Sequence, residues 1–265
     1  METYFADYHI HSKFSFDSKE SIKNIYSRAV EAGLNEICMT EHFSLDEEDS
    51  SWGFLDFAKY EEEIYKYQNK KMNNIKVKVG LEIGEGHLQI GPINKYLKKK
   101  DIDFIIGSLH NINGLGLRRN ILKYPIDKVY EDYFRELYIL ADKAEYDVIG
   151  HLDLIQRYAW DQYGKYEINR YIDLIESILK KVIERGKGIE INTSILKQRD
   201  DFMPKIDIVK RYKELGGEII TVGSDAHSSD RLGEGISLSY EFLRDIGFKY
   251  VSTFEKRNLI QKSIL

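Results

Sequence analysis

The chain has 265 residues, of which 42% are hydrophobic and 31% are charged, and its formal net charge is -5. This length and composition suffice for one large α/β domain, and the modest acidic balance argues against a protein that binds nucleic acid through bulk charge. A single cysteine, Cys38, excludes an internal disulfide and a cysteine-rich zinc site.

The sequence predicts neither a boundary between domains nor a membrane-spanning segment. Only 3 prolines are present, and no low-complexity segment or fixed repeat interrupts the pattern. We therefore expect one domain over residues 1–265. The sequence lacks the apolar core of a signal peptide and any apolar run of about 18 residues, so we predict a cytoplasmic protein without a membrane partner. The oligomeric state is left open.

Apolar segments typical of strands alternate with amphipathic segments typical of helices. The predicted strands are residues 4–11, 36–42, 75–84, 103–110, 146–154, 187–194 and 218–227. Helical periodicity is clearest over residues 21–32, 127–144, 167–185 and 205–215. Seven such units predict parallel strands in a distorted TIM-like (β/α)7 barrel, with an open doubly wound sheet as the alternative. The segment after Gly247 predicts an added strand and a helix end.

Histidines and carboxylates collect at the carboxyl ends of the predicted strands. Six of the seven histidines lie there, namely His9, His11, His42, His110, His151 and His227, whereas His87 falls outside the pattern. Carboxylates reach the same level at Asp17, Glu82, Asp153 and Asp225. Because the carboxyl ends of parallel barrel strands meet on one face, we expect one pocket.

Such a pocket requires cations, because buried charges and unpaired polar groups cost several kcal/mol each. Imidazole and carboxylate ligands suit Zn, Mn or Fe better than Mg or Ca. The candidate ligands outnumber those that one tetrahedral ion can use. The sequence therefore predicts two to three divalent metal ions.

Six motifs, which run in order from Asp7 to His227, resemble the polymerase and histidinol phosphatase (PHP) superfamily: DYHIHSKFSFD, TEH, GLEIG, GSLH, GHLD and GSDAH. The resemblance covers nearly the whole chain and implies a distorted seven-stranded barrel with a trinuclear metal site. GLEIG, GHLDLIQRY and EINTS look most like the branch that hydrolyses histidinol phosphate to histidinol and phosphate in histidine biosynthesis.

The resemblance also implies how the ligands are shared among three ions. The groups are His9, His11, Glu82 and Asp225 for the first ion, Glu82 with His110 and His151 for the second, and Asp17, His42 and His227 for the third. Asp17 stands where many members have histidine, which could change the preferred metal but leaves the site complete.

The chemistry expected of such a site is hydrolysis of a phosphate monoester. A water shared by two divalent ions becomes hydroxide near neutral pH and is placed for in-line attack, with Glu82 and Asp225 holding the ions. The arginine fork matches phosphoryl oxygens, so we expect Arg157 and Arg199 to clamp the substrate, with Arg118 as a further candidate.

Other residues have supporting roles in this interpretation. Asp153 or Asp161 is the candidate proton donor to the leaving alkoxide. Glu190 and Asn192 should point inward on the sixth strand and support the ligands rather than bind metal. The candidates for recognising the alcohol portion of the substrate are Glu85, Tyr158 and Trp160.

Two other functions stay open. A PHP-type nuclease or nucleotide phosphoesterase would use the same ligands on phosphodiesters, although the acidic balance and the lack of an attached polymerase argue against nucleic acid as a partner. A metal-binding regulatory module without turnover would also keep the ligands. Assays with phosphomonoesters and a phosphodiester separate these possibilities.

Overall fold

The computed structural model describes residues 3–68 and 75–265. The strands in this part of the chain are β1 Ala6–Ile10, β2 Glu36–Phe43, β3 Lys76–Gly84, β4 Phe104–Ser108, β5 Asn111–Ile112, β6 Leu115–Gly116, β7 Val148–Ile149, β8 Gly188–Asn192, β9 Ile220–Gly223, β10 Tyr250–Glu255 and β11 Asn258–Ser263. The α-helices are α1 Ile22–Glu31, α2 Phe57–Gln68, α3 Ile90–Leu97, α4 Leu117–Lys123, α5 Ile126–Lys143, α6 Ile155–Tyr163, α7 Ile172–Glu184, α8 Leu196–Arg199, α9 Ile206–Glu214 and α10 Ile236–Asp245. None of these helices is long and apolar enough to span a bilayer.

Seven parallel strands form a nearly closed barrel in the order β1, β2, β3, β4, β7, β8, β9. The first and last strands meet where Ile10 bridges Ala226 and the His11 N–H donates to the Ala226 carbonyl at 2.9 Å. The strand order follows the chain without reversal, which confirms the seven-stranded TIM-like barrel. The doubly wound alternative is therefore wrong, because an open sheet reverses its strand order and leaves two edges.

Aromatic and aliphatic side chains fill the amino-terminal half of the barrel interior. Tyr8, Phe104 and Ile106 are almost completely buried there and pack with Phe254 from β10. The Tyr8 hydroxyl bonds to the buried Glu36 carboxylate, which provides the partner that a buried phenol requires. This packed layer leaves the carboxyl-terminal half of the interior for polar side chains.

Two predicted strands lose more than half of their length in the structure. The segment 146–154 is extended only at β7, and the segment 218–227 only at β9. His151 and Asp225 have left-handed backbone angles, with φ of 24° and 52°, which a continuing strand cannot adopt. Both residues therefore lie in sharp turns just beyond their strands, and strand alternation does not extend to them. Backbone strain of this kind is concentrated at functional sites.

The segment after Gly247 differs from its prediction. It contains the expected strand, β10, but the predicted helix end is wrong, because β11 follows and pairs with β10 as an antiparallel hairpin. Lys256 and Arg257 form its two-residue turn with φ of 49° and 65°. Asn and Gly usually occupy positions with such positive φ values, so the sequence does not predict a turn here. Arg257 holds the hairpin to the barrel through Asp147 and Glu145.

The predicted helix 167–185 is also divided. A single turn of 3-10 helix spans Ile168–Arg170, and α7 begins only at Ile172. Tyr171 lies between them with φ of -120°, outside the helical region. Its ring is buried against Tyr130 and Phe134 of α5, so tertiary packing overrides the helical periodicity here.

Candidate metal centre

The predicted histidines and carboxylates meet in a pocket of about 250 Å³ at the carboxyl ends of the barrel strands. Its lining residues are Phe16, Asp17, His42, Glu48, Asp49, Ser50, Glu82, His110, Asn111, His151, Leu154, Arg157, Tyr158, Asp225 and His227. His9 and His11 lie immediately beneath, with both side chains completely buried.

Glu82 lies at the centre of the cluster and presents its two oxygens to different histidines. Oε2 is 3.3 Å from Nε2 of His9 and 3.4 Å from Nε2 of His11. Oε1 is 3.2 Å from Nε2 of His110 and 2.9 Å from Nε2 of His151. A carboxylate placed in this way can bridge two cations, one on each side.

Asp225 completes the first group. Its Oδ1 lies 3.6 Å from Nε2 of His9 and 3.4 Å from Nε2 of His11. The strand that leads to it passes close beneath the site at Gly223, where an added Cβ would be 2.3 Å from the Cβ of His9 and 2.4 Å from Oε1 of Glu190. Only glycine lets the backbone pass here without displacing these two side chains.

Asp17 and two histidines form the outer group, nearer the pocket mouth. Asp17 Oδ2 lies 3.3 Å from Nε2 of His42 and 3.0 Å from Nε2 of His227. His42 also places Nδ1 2.9 Å from Oε2 of Glu82. The ring of His11 stacks between the rings of His42 and His227, at centroid distances of 4.2 and 4.3 Å, so this group is contiguous with the first.

The donor set fits divalent cations. The ligand atoms of three-residue groups lie within 4.8 Å of one another in four combinations: His9, His11 and Asp225; His9, Glu82 and His151; His42, Glu82 and His110; and His11, His42 and His227. Within the described chain, His9 Nε2, His11 Nε2 and Glu82 Oε2 are buried without a hydrogen-bond partner. Orphaned buried atoms are costly unless something binds them, and these converge on one point. The cluster can hold two to three metal ions.

The charges in the cluster are strongly coupled. Burial raises the pKa of Glu82, but His9, His42 and His110 outweigh it and hold the pKa well below its usual range. Burial lowers the pKa of His42, but Glu82 and Asp17 raise it to about 10. By contrast, burial and the neighbouring His42 and His227 lower the pKa of His11 to about 3. His11 is therefore neutral, the form that binds metal.

Glu190 lies inside the barrel on β8, as the strand pattern predicts, and contacts two segments that carry predicted ligands. Its Oε1 is 2.7 Å from Nδ1 of His9, and its Oε2 accepts the His151 N–H at 2.8 Å. Asn192 donates its side-chain amide to Oε2 of Glu190 at 3.3 Å. These contacts hold the His9 ring and the His151 backbone in place.

The three predicted arginines have different surroundings. Arg157 extends from α6 into the pocket lining, and its Nη1 lies 3.4 Å from Oδ2 of Asp225. Arg199 contacts the exposed carboxylate of Asp161 and lies over the Trp160 ring, with its guanidinium carbon 5.4 Å from the ring centroid. Arg118 lies outside the pocket lining, with its guanidinium carbon 5.5 Å from the Tyr158 ring centroid.

Asp153 is completely buried behind the pocket wall and does not line the pocket. One of its oxygens, Oδ2, accepts hydrogen bonds from Tyr166 at 2.8 Å, Gln156 at 2.9 Å and the Lys205 N–H at 3.1 Å. Burial raises its pKa to about 6. These contacts give Asp153 a structural role in addition to any predicted proton transfer.

His87 also lies away from the pocket. Its Nε2 is 2.7 Å from Oε1 of Glu136 on α5, so the buried imidazole is tied to a helix. Glu85, two residues earlier, accepts the His110 and Asn111 N–H groups at 2.5 and 2.8 Å. It thereby fixes the loop that carries His110, a role different from the predicted recognition of the substrate.

Sequence reasoning missed a buried group formed by Ser12, Ser15 and Glu41. Strand alternation places Glu41 opposite to its neighbour His42, so nothing in the pattern connects it with the site. In the structure, both serine hydroxyls lie 2.6 Å from its carboxylate oxygens. Burial raises the pKa of Glu41, and the hydrogen bonds from the two serines oppose that shift. The serines of the HSKFS segment were the available signal.

Comparisons with known proteins identify the family of this chain. The PHP domain family matches residues 7–194. The chain is 36% identical to a probable histidinol-phosphatase of Clostridium acetobutylicum, covering 95% of this chain and 97% of the relative. It is 33% identical to the histidinol-phosphatase of Lactococcus lactis, covering 94% and 93% of the two chains.

A solved structure extends the similarity to three dimensions. The crystal structure of histidinol phosphate phosphatase from Lactococcus lactis, complexed with zinc, L-histidinol and phosphate, superposes with a TM-score of 0.89. It is 27% identical to this chain, and the match covers 98% of this chain and 100% of that one. The barrel, the ligand cluster and the sequence match together show that the chain belongs to the PHP domain family.

Proposed function

We propose that this chain is a metal-dependent phosphomonoesterase that hydrolyses histidinol phosphate to histidinol and phosphate. The observation that carries the proposal is the position of Glu82, whose two oxygens face different histidines in the centre of the cluster. Full-length similarity to histidinol-phosphatases supports the choice of substrate. We assign the activity to one domain over residues 1–265.

The charge of the pocket explains why activity should depend on metal. Five carboxylates line it, whereas Arg157 is its only arginine or lysine among the described residues. The carboxylates are Asp17, Glu48, Asp49, Glu82 and Asp225. His42, whose pKa is raised to about 10, offsets part of this charge without metal. Divalent cations would remove the remaining repulsion of a phosphate dianion. We therefore expect substrate binding, as well as turnover, to need the ions.

We propose that the nine ligands predicted from the sequence hold two to three ions of zinc, manganese or iron. Bound divalent ions would supply an activated water and neutralise phosphoryl charge. The chain contributes the placement of these charges. Glu82 is held in the middle by Ser108, whose hydroxyl donates to Oε1 at 2.6 Å, and Glu190 orients His9 from behind.

Arg157 and Arg199 are the proposed clamps for the phosphoryl group. Arg157 already lines the pocket, where its fork can meet phosphoryl oxygens beside Asp225. Arg199 would have to leave Asp161, whose side chain is 80% exposed. Exposed ion pairs contribute only about 0–1 kcal/mol, so phosphate can compete for Arg199 at little cost.

The test is a substrate panel with metal content measured on the same samples. The metal-loaded chain is assayed with histidinol phosphate, two unrelated phosphomonoesters and one phosphodiester, and the metal-stripped chain is the matched control. We expect histidinol phosphate to give the highest kcat/KM and metal removal to abolish turnover. Preference for the phosphodiester would indicate a nuclease instead, and no turnover at full metal content would indicate a regulatory module. Elemental analysis below one equivalent after loading would contradict the multinuclear site.

A further inference from the structure

A further buried carboxylate, Glu41, lies beside the proposed metal centre without contacting its predicted ligands through its own oxygens. Glu41, on β2, is completely buried and accepts the Ser12 N–H at 3.1 and 3.2 Å, the Ser12 hydroxyl at 2.6 Å and the Ser15 hydroxyl at 2.6 Å. A carboxylate has only acceptors, so both hydroxyl hydrogens are directed at it. The loop that follows β1 is thereby tied to β2.

The hydroxyl of Ser15 already makes two hydrogen bonds, and these determine whether it can donate to His11 or only accept from it. Its hydrogen is directed at Glu41, and its oxygen accepts the His42 N–H at 3.0 Å. Nδ1 of His11 lies 3.1 Å from the same oxygen. A hydroxyl has one hydrogen and two lone pairs, so only an acceptor lone pair is left for His11. The imidazole must therefore donate from Nδ1.

From this geometry we infer that Ser15, held by Glu41, is a positioning residue that fixes the tautomer of His11 and so selects the nitrogen offered to metal. With its hydrogen on Nδ1, His11 presents the Nε2 lone pair to Glu82 and Asp225, each 3.4 Å away. The inference rests on the proposed function, because the tautomer of His11 matters only if His11 binds metal.

Ser15 is required because the rest of the pocket favours the opposite tautomer. Without metal, Nε2 of His11 faces the carboxylates of Glu82 and Asp225, and both would accept a hydrogen from it. Stacking between His42 and His227 holds the ring plane but does not distinguish its two nitrogens. The hydroxyl of Ser15 is the group that keeps the hydrogen on Nδ1.

The tautomer can be read directly in the full-length, metal-free chain by long-range ¹H–¹⁵N correlation spectra, with His11→Asn to assign the signal. We expect an Nδ1–H pattern in the unmodified chain and a shift toward Nε2–H in Ser15→Ala. Ser12→Ala is the matched control, because it removes the other hydroxyl on Glu41 but leaves Ser15 in place. It should keep the Nδ1–H pattern. Ser15→Thr, which retains a hydroxyl, should restore it.

Zinc affinity, measured by competition with a chromophoric chelator, is the second measurement. Loss of a group that orients a metal ligand typically weakens binding about tenfold to a hundredfold, so we expect that loss in Ser15→Ala and a much smaller one in Ser12→Ala. An Nε2–H pattern in the unmodified chain, or unchanged tautomer and zinc affinity in Ser15→Ala, would overturn the inference. His11→Asn separates the two failures: if it leaves zinc affinity unchanged, the proposed metal site itself is wrong.

Discussion

Oε1 of Glu190 lies 2.7 Å from Nδ1 of His9, whereas Nε2 of the same ring faces Glu82. Burial lowers the pKa of His9, but Glu190, Glu82 and Asp225 outweigh it and raise the pKa well above its usual range. Without metal the ring therefore binds a proton strongly, and a cation must displace it. The buried Glu190 acts from the side that the cation does not reach.

Glu190→Gln should weaken zinc binding about tenfold to a hundredfold, because an amide accepts more weakly than a carboxylate and can present its NH₂ group to His9. The measurement is chelator competition on the purified variant. Glu184→Gln, on the exposed face of α7, is the matched control and should bind zinc normally. Equal zinc affinity in both variants would show that Glu190 does not contribute to metal binding.

Glu82→Gln should reduce metal content and turnover more than most single ligand changes. If Glu82 bridges two cations as proposed, a neutral amide cannot replace it, and both ions would lose a negative ligand. His110→Asn, which alters a predicted ligand beside one oxygen of Glu82 only, is the comparison. Full metal content with near-normal kcat in Glu82→Gln would refute the bridge.

Arg157→Met should lower kcat/KM about tenfold to a hundredfold while metal content stays unchanged, because a charge-assisted contact to phosphate is worth about 1.5–3 kcal/mol. Methionine keeps much of the apolar stem and removes the fork. Lysine at this position should restore activity only in part, since it lacks the two-pronged geometry. A change in kcat/KM below about twofold would show that Arg157 pairs with Asp225 but does not bind the phosphoryl group.

Arg199→Met should also lower kcat/KM at unchanged metal content if the side chain leaves Asp161 to bind phosphate. Asp161→Asn is the informative companion, because it removes the competing partner and retains Arg199. Asp161 is also a predicted proton donor, but its side chain is 80% exposed and lies outside the pocket lining. We therefore expect the kcat/KM of this variant to stay within about twofold of the unmodified chain, and a large loss in Asp161→Asn would support the proton-donor role instead. Equal losses in both variants would indicate that the pair itself matters.

Asp153 should make folding stability depend on pH. Burial raises its pKa from 3.8 to about 6, so the folded chain holds this proton more tightly than the unfolded chain does. The contribution of Asp153 to the free energy of unfolding is therefore fully present below about pH 4 and is lost as the pH rises through about 6. The total loss is at most about 3 kcal/mol. Urea unfolding of the unmodified chain and Asp153→Asn across this range should show the variant gaining relative stability as pH rises. A difference independent of pH would contradict the raised pKa.

Much of the fold and of the ligand cluster could be predicted from the sequence because both depend on strong periodic signals. The seven apolar segments become seven parallel strands, and the histidines at their ends converge as barrel geometry requires. The turn at Lys256 and Arg257 could not be predicted, because it uses residues that rarely adopt left-handed angles. The helix break at Tyr171 depends on packing against α5, which no local pattern encodes.

The supporting groups were harder to recognise than the ligands. Glu190 lies on the inner face of its strand, so alternation indicated it. Glu41 accepts hydrogen bonds from serine hydroxyls, and Glu85 accepts them from the backbone of a loop. Both contacts join segments that are distant in sequence, so no periodic pattern in the sequence predicts them. The positions of the arginines were the hardest to predict, because a long flexible side chain near the end of a helix has no position fixed by the sequence pattern.

Gly223 has no side chain, and the side chains of His9 and Glu190 occupy the space that a Cβ at this position would need. Any other residue there would bring its Cβ to about 2.3 Å from His9 and to a similar distance from Glu190. A survey of natural or laboratory variants would therefore rank position 223 with the ligands, although it carries no chemical group. Loss of activity on substitution of this glycine would therefore reflect a lack of space and not the loss of a chemical group. The same lack of space limits the side chains that evolution could place at this position of β9.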